Sequence, residues 1–113
     1  MIKQEELELS ILKLFLLDNS YAVSQNVEDM LAQVKVIERS YTGHGFFTTI
    51  SILDVVFKRE HIHWGDGIIG KVNNNTDIGF LMIPEGDQLT IEGFAFGDDQ
   101  FPALVESFVI SRQ

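Results

Sequence analysis

Apolar and polar positions divide the chain into a helical first part and a strand-rich remainder. Over residues 2–17, apolar side chains recur at i, i+4 and i+7 from Leu7, which is the spacing of one helix face. Ser24 is a suitable N-cap for a second, shorter helix, and apolar residues keep the same spacing as far as Leu31. The pattern therefore predicts two helices in the first third of the chain.

From residue 34 onward, apolar positions alternate with the period of two that is typical of strands. Residues 46–57 are rich in β-branched and aromatic side chains and predict one long strand, whereas Gly65-Asp66-Gly67 predicts a turn. Pro102 would suit the first turn of a helix, but the β-prone residues 108–110 favour a final strand. The remaining strands are predicted at 34–41, 68–72, 79–83 and 88–96, with a loop at 73–77 and a hairpin turn at 84–87.

Two helices followed by about six strands with short connections predict a single α+β domain over residues 1–113. No helical crossover fits between the strands after residue 45, so we expect the sheet to be mostly antiparallel. The helices would pack on one face of this sheet. The other face would then contact solvent, a partner protein or a second copy of the chain.

Charge is unevenly distributed along the chain. The formal net charge is -9, and the last thirty residues carry Arg112 as their one basic group against six acidic ones. Phosphate contacts require lysine and arginine, so this part of the chain argues against binding to nucleic acid or to an anionic membrane. The same charge would attract a basic protein partner, although it also serves solubility alone.

Other features of composition indicate an intracellular protein. There is no cysteine, which excludes disulfides and thiolate zinc sites. The chain begins with an acidic cluster where a signal peptide would be basic, and apolar runs such as residues 14–17 are too short to cross a bilayer. We therefore expect a cytoplasmic location.

A histidine pair gives the one candidate metal site. His61 and His63 are two residues apart, so on a strand both imidazoles would lie on one face and could chelate a metal ion. His44 could supply a third ligand, but nothing in the sequence brings it near the pair. Two histidines at an exposed strand end are also common without a metal, and we expect no cofactor.

Acid–base chemistry would depend on Glu92, a carboxylate within an apolar strand. If its side chain faced the interior, loss of hydration would raise its pKa. It would otherwise lie on the solvent face or pair with a cation such as Arg39. The G-x-G-x-x-G spacing at residues 65–70 precedes a strand rather than a helix, so it does not predict a phosphate site. We assign no catalytic residue.

Two Gly-Phe segments mark the chain, RSYTGHGFFT at residues 39–48 and IEGFAFGD at residues 91–98. With the intervening glycines and Pro102, they resemble a family of small uncharacterised bacterial proteins that carry T-G-x-G-F-F-T and L-E-G-F-x-Y-G motifs. His44 replaces a small apolar residue of that pattern, and Phe96 replaces tyrosine. Some members look like immunity proteins, so the resemblance implies protein binding rather than catalysis.

We therefore expect a small acidic binding protein, of the kind in which an immunity protein occludes a basic toxin domain. Carboxylates would pair with the partner's lysine and arginine, and an aromatic side chain would exclude water. The expected partner surface consists of Glu85, Asp87, Asp98, Asp99 and Phe101.

Two other classes of function stay open. The chain could be a homo-oligomeric domain whose free sheet face pairs with a second copy. It could instead be a hydrolase or metal-dependent enzyme that uses His61, His63 and Glu92.

Overall fold

Two helices precede a six-stranded antiparallel sheet, which confirms the predicted α+β class. The computed structural model describes residues 3–58, 63–97 and 100–112. The helices are α1 (Lys3–Asp18) and α2 (Val27–Leu31), and the strands are β1 (Val34–Tyr41), β2 (Gly45–Ile52), β3 (His63–Val72), β4 (Thr76–Glu85), β5 (Gln88–Ala95) and β6 (Phe108–Arg112).

The sheet has the strand order β1-β2-β5-β4-β3-β6, and every pair of neighbours is antiparallel. The Gly86-Asp87 turn joins β4 to β5, and Gly86 has φ +69°, the left-handed conformation that a tight hairpin needs at its first central residue. β1 and β6 are the edge strands. β5 lies between β2 and β4 and forms the centre of the sheet together with them.

The core lies between α1 and one face of the sheet. Leu7, Ile11 and Phe15 of α1 are fully buried, as the helical spacing predicts, and they pack with the inward residues of β2, β4 and β5. Along those strands buried and partly exposed positions alternate, because successive side chains of a strand point to opposite faces.

The Gly-Phe segments account for the packing at the sheet centre. Phe46 of β2 is the cross-strand partner of Gly93 on β5, and a Cβ placed on Gly93 would lie 2.3 Å from the Phe46 ring. One position along, Gly45 opposes Phe94, and Phe94 also opposes Gly79 on β4. Each large ring therefore lies over a glycine on the neighbouring strand, and the two rings lie on opposite faces.

The loop between β1 and β2 connects the two segments further. The carbonyl of His44 accepts a hydrogen bond from Ala95 N (2.8 Å), and the carbonyl of Gly43 accepts one from Phe101 N (3.0 Å). Phe101 then packs edge-to-face on Phe46, with ring centroids 5.2 Å apart. The two segments thus form one structural unit.

Asn73 holds the stretch before β6 against the β3–β4 turn. Its side-chain oxygen accepts hydrogen bonds from Glu106 N (2.8 Å) and Ser107 N (3.1 Å), while its amide nitrogen donates to Leu104 O (3.0 Å). Asn73 has φ +53°, a conformation that asparagine tolerates better than most residues. The tail consequently enters the sheet as a strand, as predicted.

Three predicted boundaries were wrong. α2 begins after Asn26, which has non-helical backbone angles, rather than after Ser24. β2 ends at Ile52, because Asp54 has φ +63° and turns the chain, so the strand does not reach residue 57. Residues 65–67 lie within β3 at a register irregularity and do not form a turn between strands.

Candidate functional site: the helix-free face of the sheet

One face of the sheet carries neither helix, and we call it the helix-free face. On its central strands the side chains are partly exposed rather than buried. Rows of cross-strand neighbours run across it, such as Ser40, Phe47, Glu92 and Leu81 in sequence from β1 to β4. The face comprises Lys35, Glu38, Ser40, Phe47, Thr49, Ser51, Ile69, Lys71, Asp77, Leu81, Ile83, Glu85, Gln88, Thr90, Glu92, Phe94, Phe96, Val109 and Ser111.

Two phenylalanines form an aromatic platform on this face. Phe94 and Phe96 pack edge-to-face, with ring centroids 5.7 Å apart. A Cβ on Gly79 would approach atoms of both rings to within 2.9 Å, so the rings lie directly over this glycine. Phe96 remains 45% exposed. The absence of a side chain at position 79 therefore lets both rings pack against the sheet there, and Phe96 presents apolar surface to solvent.

Glu92 lies at the centre of the helix-free face. It is half-buried between its cross-strand neighbours Phe47 and Leu81, and Phe94 is two residues further along the same strand. Within the described part of the chain Glu92 makes no ion pair. A carboxylate between apolar neighbours loses part of its hydration, so a cation that reached it would gain from pairing with it.

Arg39, which we had considered as a partner for Glu92, lies on the opposite face of the sheet. It forms two hydrogen bonds with Glu8 of α1, from Nε to Oε2 (2.9 Å) and from Nη2 to Oε1 (2.5 Å). These bonds raise the pKa of Arg39 above its ordinary value. The guanidinium is therefore committed to Glu8, and the interpretation of Glu92 as its partner was wrong.

The network around Glu8 was not predicted from the sequence. Glu8 is almost completely buried, and its carboxylate also accepts hydrogen bonds from Gln4 Nε2 (2.9 Å) and Thr48 Oγ1 (2.5 Å). It attaches α1 to β1 and β2. The signal in the sequence is the position of Glu8 four residues before Leu12 within the apolar stripe of the helix, where an acidic residue needs a buried partner.

The predicted partner surface is divided by the fold. Glu85 and Asp87 are exposed at the β4–β5 turn, whereas residue 97 lies beyond the other end of β5, a strand roughly 24 Å long at about 3.4 Å per residue. Asp98 and Asp99 lie outside the described residues. The helix-free face joins the two ends, because Glu92 and Phe94 lie on β5 between them.

Phe101 does not contribute an exposed ring to this surface. Its side chain is only 7% exposed and packs on Phe46 in the core. Its assignment as an aromatic anchor for a partner was therefore wrong. The exposed aromatic on the helix-free face is Phe96, which was not among the predicted residues of the partner surface.

The metal hypothesis finds no further support in the described part of the chain. His61 lies outside it, and His63 begins β3 but its side chain is not among those described. Among the residues that are described, no group of three or more histidine, cysteine or acidic side chains could hold a metal ion.

Comparison with known proteins found no match: no family model, no curated protein and no solved structure matches the chain. None of the described helices is long and apolar enough to span a membrane.

Proposed function

We propose that the chain is a protein-binding domain that uses its helix-free face to bind a basic partner. The observation that carries the proposal is Glu92, a half-buried carboxylate with no ion pair among the described residues, set beside an exposed aromatic platform. The exposed carboxylates Glu38, on edge strand β1, and Glu85, at the end of β4, lie at the edge of this face, as in the polar rim of a protein interface. A lysine or arginine of the partner would pair with Glu92 and pack over the neighbouring rings.

The charges around this face favour a basic partner over a second copy. Lys71 forms an ion pair with Asp77 (3.4 Å), and among the described residues of the face three carboxylates without ion pairs, Glu38, Glu85 and Glu92, outnumber the one unpaired cation, Lys35. A symmetric dimer through this face would bring like charges together, which is unfavourable. A basic partner would be attracted over a longer range, since the whole chain has a net charge of -9.

A titration with a defined basic probe tests the proposal. We suggest following backbone amide resonances while adding a short peptide of alternating lysine and phenylalanine, and then the same peptide with glutamate in place of lysine. The lysine peptide is expected to shift resonances of β2, β4 and β5 and to bind less tightly as salt increases. The glutamate peptide is expected to leave the spectrum unchanged.

Two triple variants distinguish the contribution of this surface to binding from that of the overall net charge. Glu85→Gln with Asp87→Asn and Glu92→Gln neutralises the face and its turn, and we expect binding of the lysine peptide to weaken at least about tenfold. The control neutralises three exposed carboxylates elsewhere and removes the same number of charges: Glu28→Gln, Asp29→Asn and Glu106→Gln. Equal loss in both variants, or shifts confined to the helices, would contradict the proposal. A stable dimer in sedimentation experiments would favour the second copy instead.

The sequence resemblance suggests what kind of protein the basic partner would be. In an immunity protein the basic partner would be a toxin domain, and binding would cover the lysine and arginine side chains with which that domain holds phosphate. The helix-free face then acts by occlusion, and the chain needs no catalytic group of its own.

A further inference from the structure

A cavity on the other side of the sheet offers a second and independent binding site. It has a volume of about 260 Å³ and lies between α1, the end of α2 and the strands β1, β2 and β5. Its innermost residues include Leu12, Ile50 and Ile91, each almost completely buried. Ala32 and Val36 are exposed and lie at its rim, so the cavity opens to solvent.

The lining specifies the shape and polarity of a ligand. Eight of its ten residues are apolar, which suits an alkyl or aryl group. A dry apolar cavity of roughly 150 Å³ is known to hold a benzene ring, so this larger cavity has room for a small organic molecule. The other two lining residues are Glu5 and Glu8. Carboxylates accept hydrogen bonds and do not donate them, so the polar end of the ligand must be a donor.

The charges of the lining distinguish a cationic donor from a neutral one. Glu8 is neutralised by Arg39 through two hydrogen bonds. Glu5 is exposed and makes no ion pair in the part of the chain that the structure describes. One uncompensated negative charge therefore remains beside an apolar cavity. We propose that this cavity binds a small hydrophobic amine, with its alkyl or aryl group against Ile50 and Ile91 and its ammonium group beside Glu5.

Three probes of equal length test the proposal on the full chain. Hexylamine, hexanol and hexanoate share their apolar chain and differ in the charge of the head group. Side-chain methyl resonances of Leu12, Ile50 and Ile91 report entry into the cavity. Hexylamine is expected to shift them and to bind about five times more tightly than hexanol, the ratio that one partly exposed ion pair provides. Hexanoate is expected to bind more weakly than either.

Two variants and a control decide the outcome. Glu5→Gln should lower the affinity for hexylamine to that for hexanol, and Ala32→Leu should narrow the rim and abolish the binding of both. Glu6→Gln is the control, because Glu6 neighbours Glu5 on α1 but does not line the cavity. Equal affinity for hexylamine and hexanol in the unaltered protein would overturn the proposal. So would an absence of methyl shifts with hexylamine, or loss of binding in Glu6→Gln alone.

Discussion

At the scale of single residues, glycines decide where the aromatic rings of this protein lie. A glycine has no side chain, so an aromatic ring from the neighbouring strand can occupy the space above it. Phe46 uses the space over Gly93 on the core side, and Phe94 uses the space over Gly79 on the helix-free face. The same pairing therefore builds both the core and the proposed binding surface.

Replacement of Gly93 tests this pairing. Gly93→Ala places a methyl group 2.3 Å from Cε1 of Phe46, whose ring is fully buried and cannot move aside. We expect a loss of about 2 kcal/mol in the free energy of unfolding, as for other overpacked cores. In a Phe46→Leu background the methyl group has room. The double variant should therefore lose about 1 kcal/mol less free energy of unfolding than the summed losses of the two single variants.

Gly45→Ala is the control for this double-mutant cycle. A Cβ at Gly45 would lie 1.9 Å from the carbonyl oxygen of Gly93, and Phe46→Leu leaves that backbone atom in place. Its cost should therefore be the same in both backgrounds when measured by denaturant unfolding. If the effects of Gly93→Ala and Phe46→Leu were additive, the steric account of the pair would be wrong.

At the scale of elements, helix α1 ends in a Schellman motif. Tyr21 N donates to Leu16 O (2.9 Å) and Ser20 N donates to Leu17 O (3.3 Å), while the Tyr21 ring stacks on Phe15 at 5.7 Å. Ser20 has φ +61°, where glycine is the usual residue. The residue that ends the helix, Ser20, therefore has a side chain that disfavours its own backbone conformation.

Ser20→Gly should stabilise the protein. Removing the side chain relieves the left-handed strain, which costs about 1–2 kcal/mol, but it adds freedom to the unfolded chain. We expect a net gain of about 0.5–1 kcal/mol, visible as a rise in Tm of a few degrees. Ser24→Gly is the matched control, since Ser24 is exposed and has no positive φ. A fall in Tm for Ser20→Gly, or an equal change in both variants, would contradict this account.

The sequence predicted elements better than it predicted the contacts between them. Periodicity was sufficient for α1 and for the alternation in β5, because burial on one face produces it directly. It could not show that Arg39 pairs with Glu8 across 31 residues, since that pairing depends on how α1 packs on β1. For the same reason Phe101 was predicted on the partner surface although it is buried, and the exposed Phe96 was not. The sequence predicted that one face of the sheet would carry no helix, but it did not show that Glu92 at the centre of this face makes no ion pair with Arg39.

At the scale of the whole molecule, negative charge both serves the proposed binding and opposes folding. Like charges repel in the compact state, and Glu92 adds a half-buried charge with no ion pair among the described residues. A residue retained for binding at the expense of stability is typical of functional sites. Neutralising it should consequently improve folding and impair binding.

Glu92→Gln separates these two effects in one variant. We expect the free energy of unfolding to rise by about 0.5–1 kcal/mol at low ionic strength, and the gain to shrink in ~0.5 M salt because screening removes the repulsion. Affinity for the basic peptide should fall in the same variant. Asp29→Asn is the control: Asp29 is exposed in the first turn of α2, where negative charge suits the helix dipole, so its loss should bring no gain. If Glu92→Gln instead destabilised the protein at every salt concentration, Glu92 would hold the fold together, and the carboxylate would not be free for a partner.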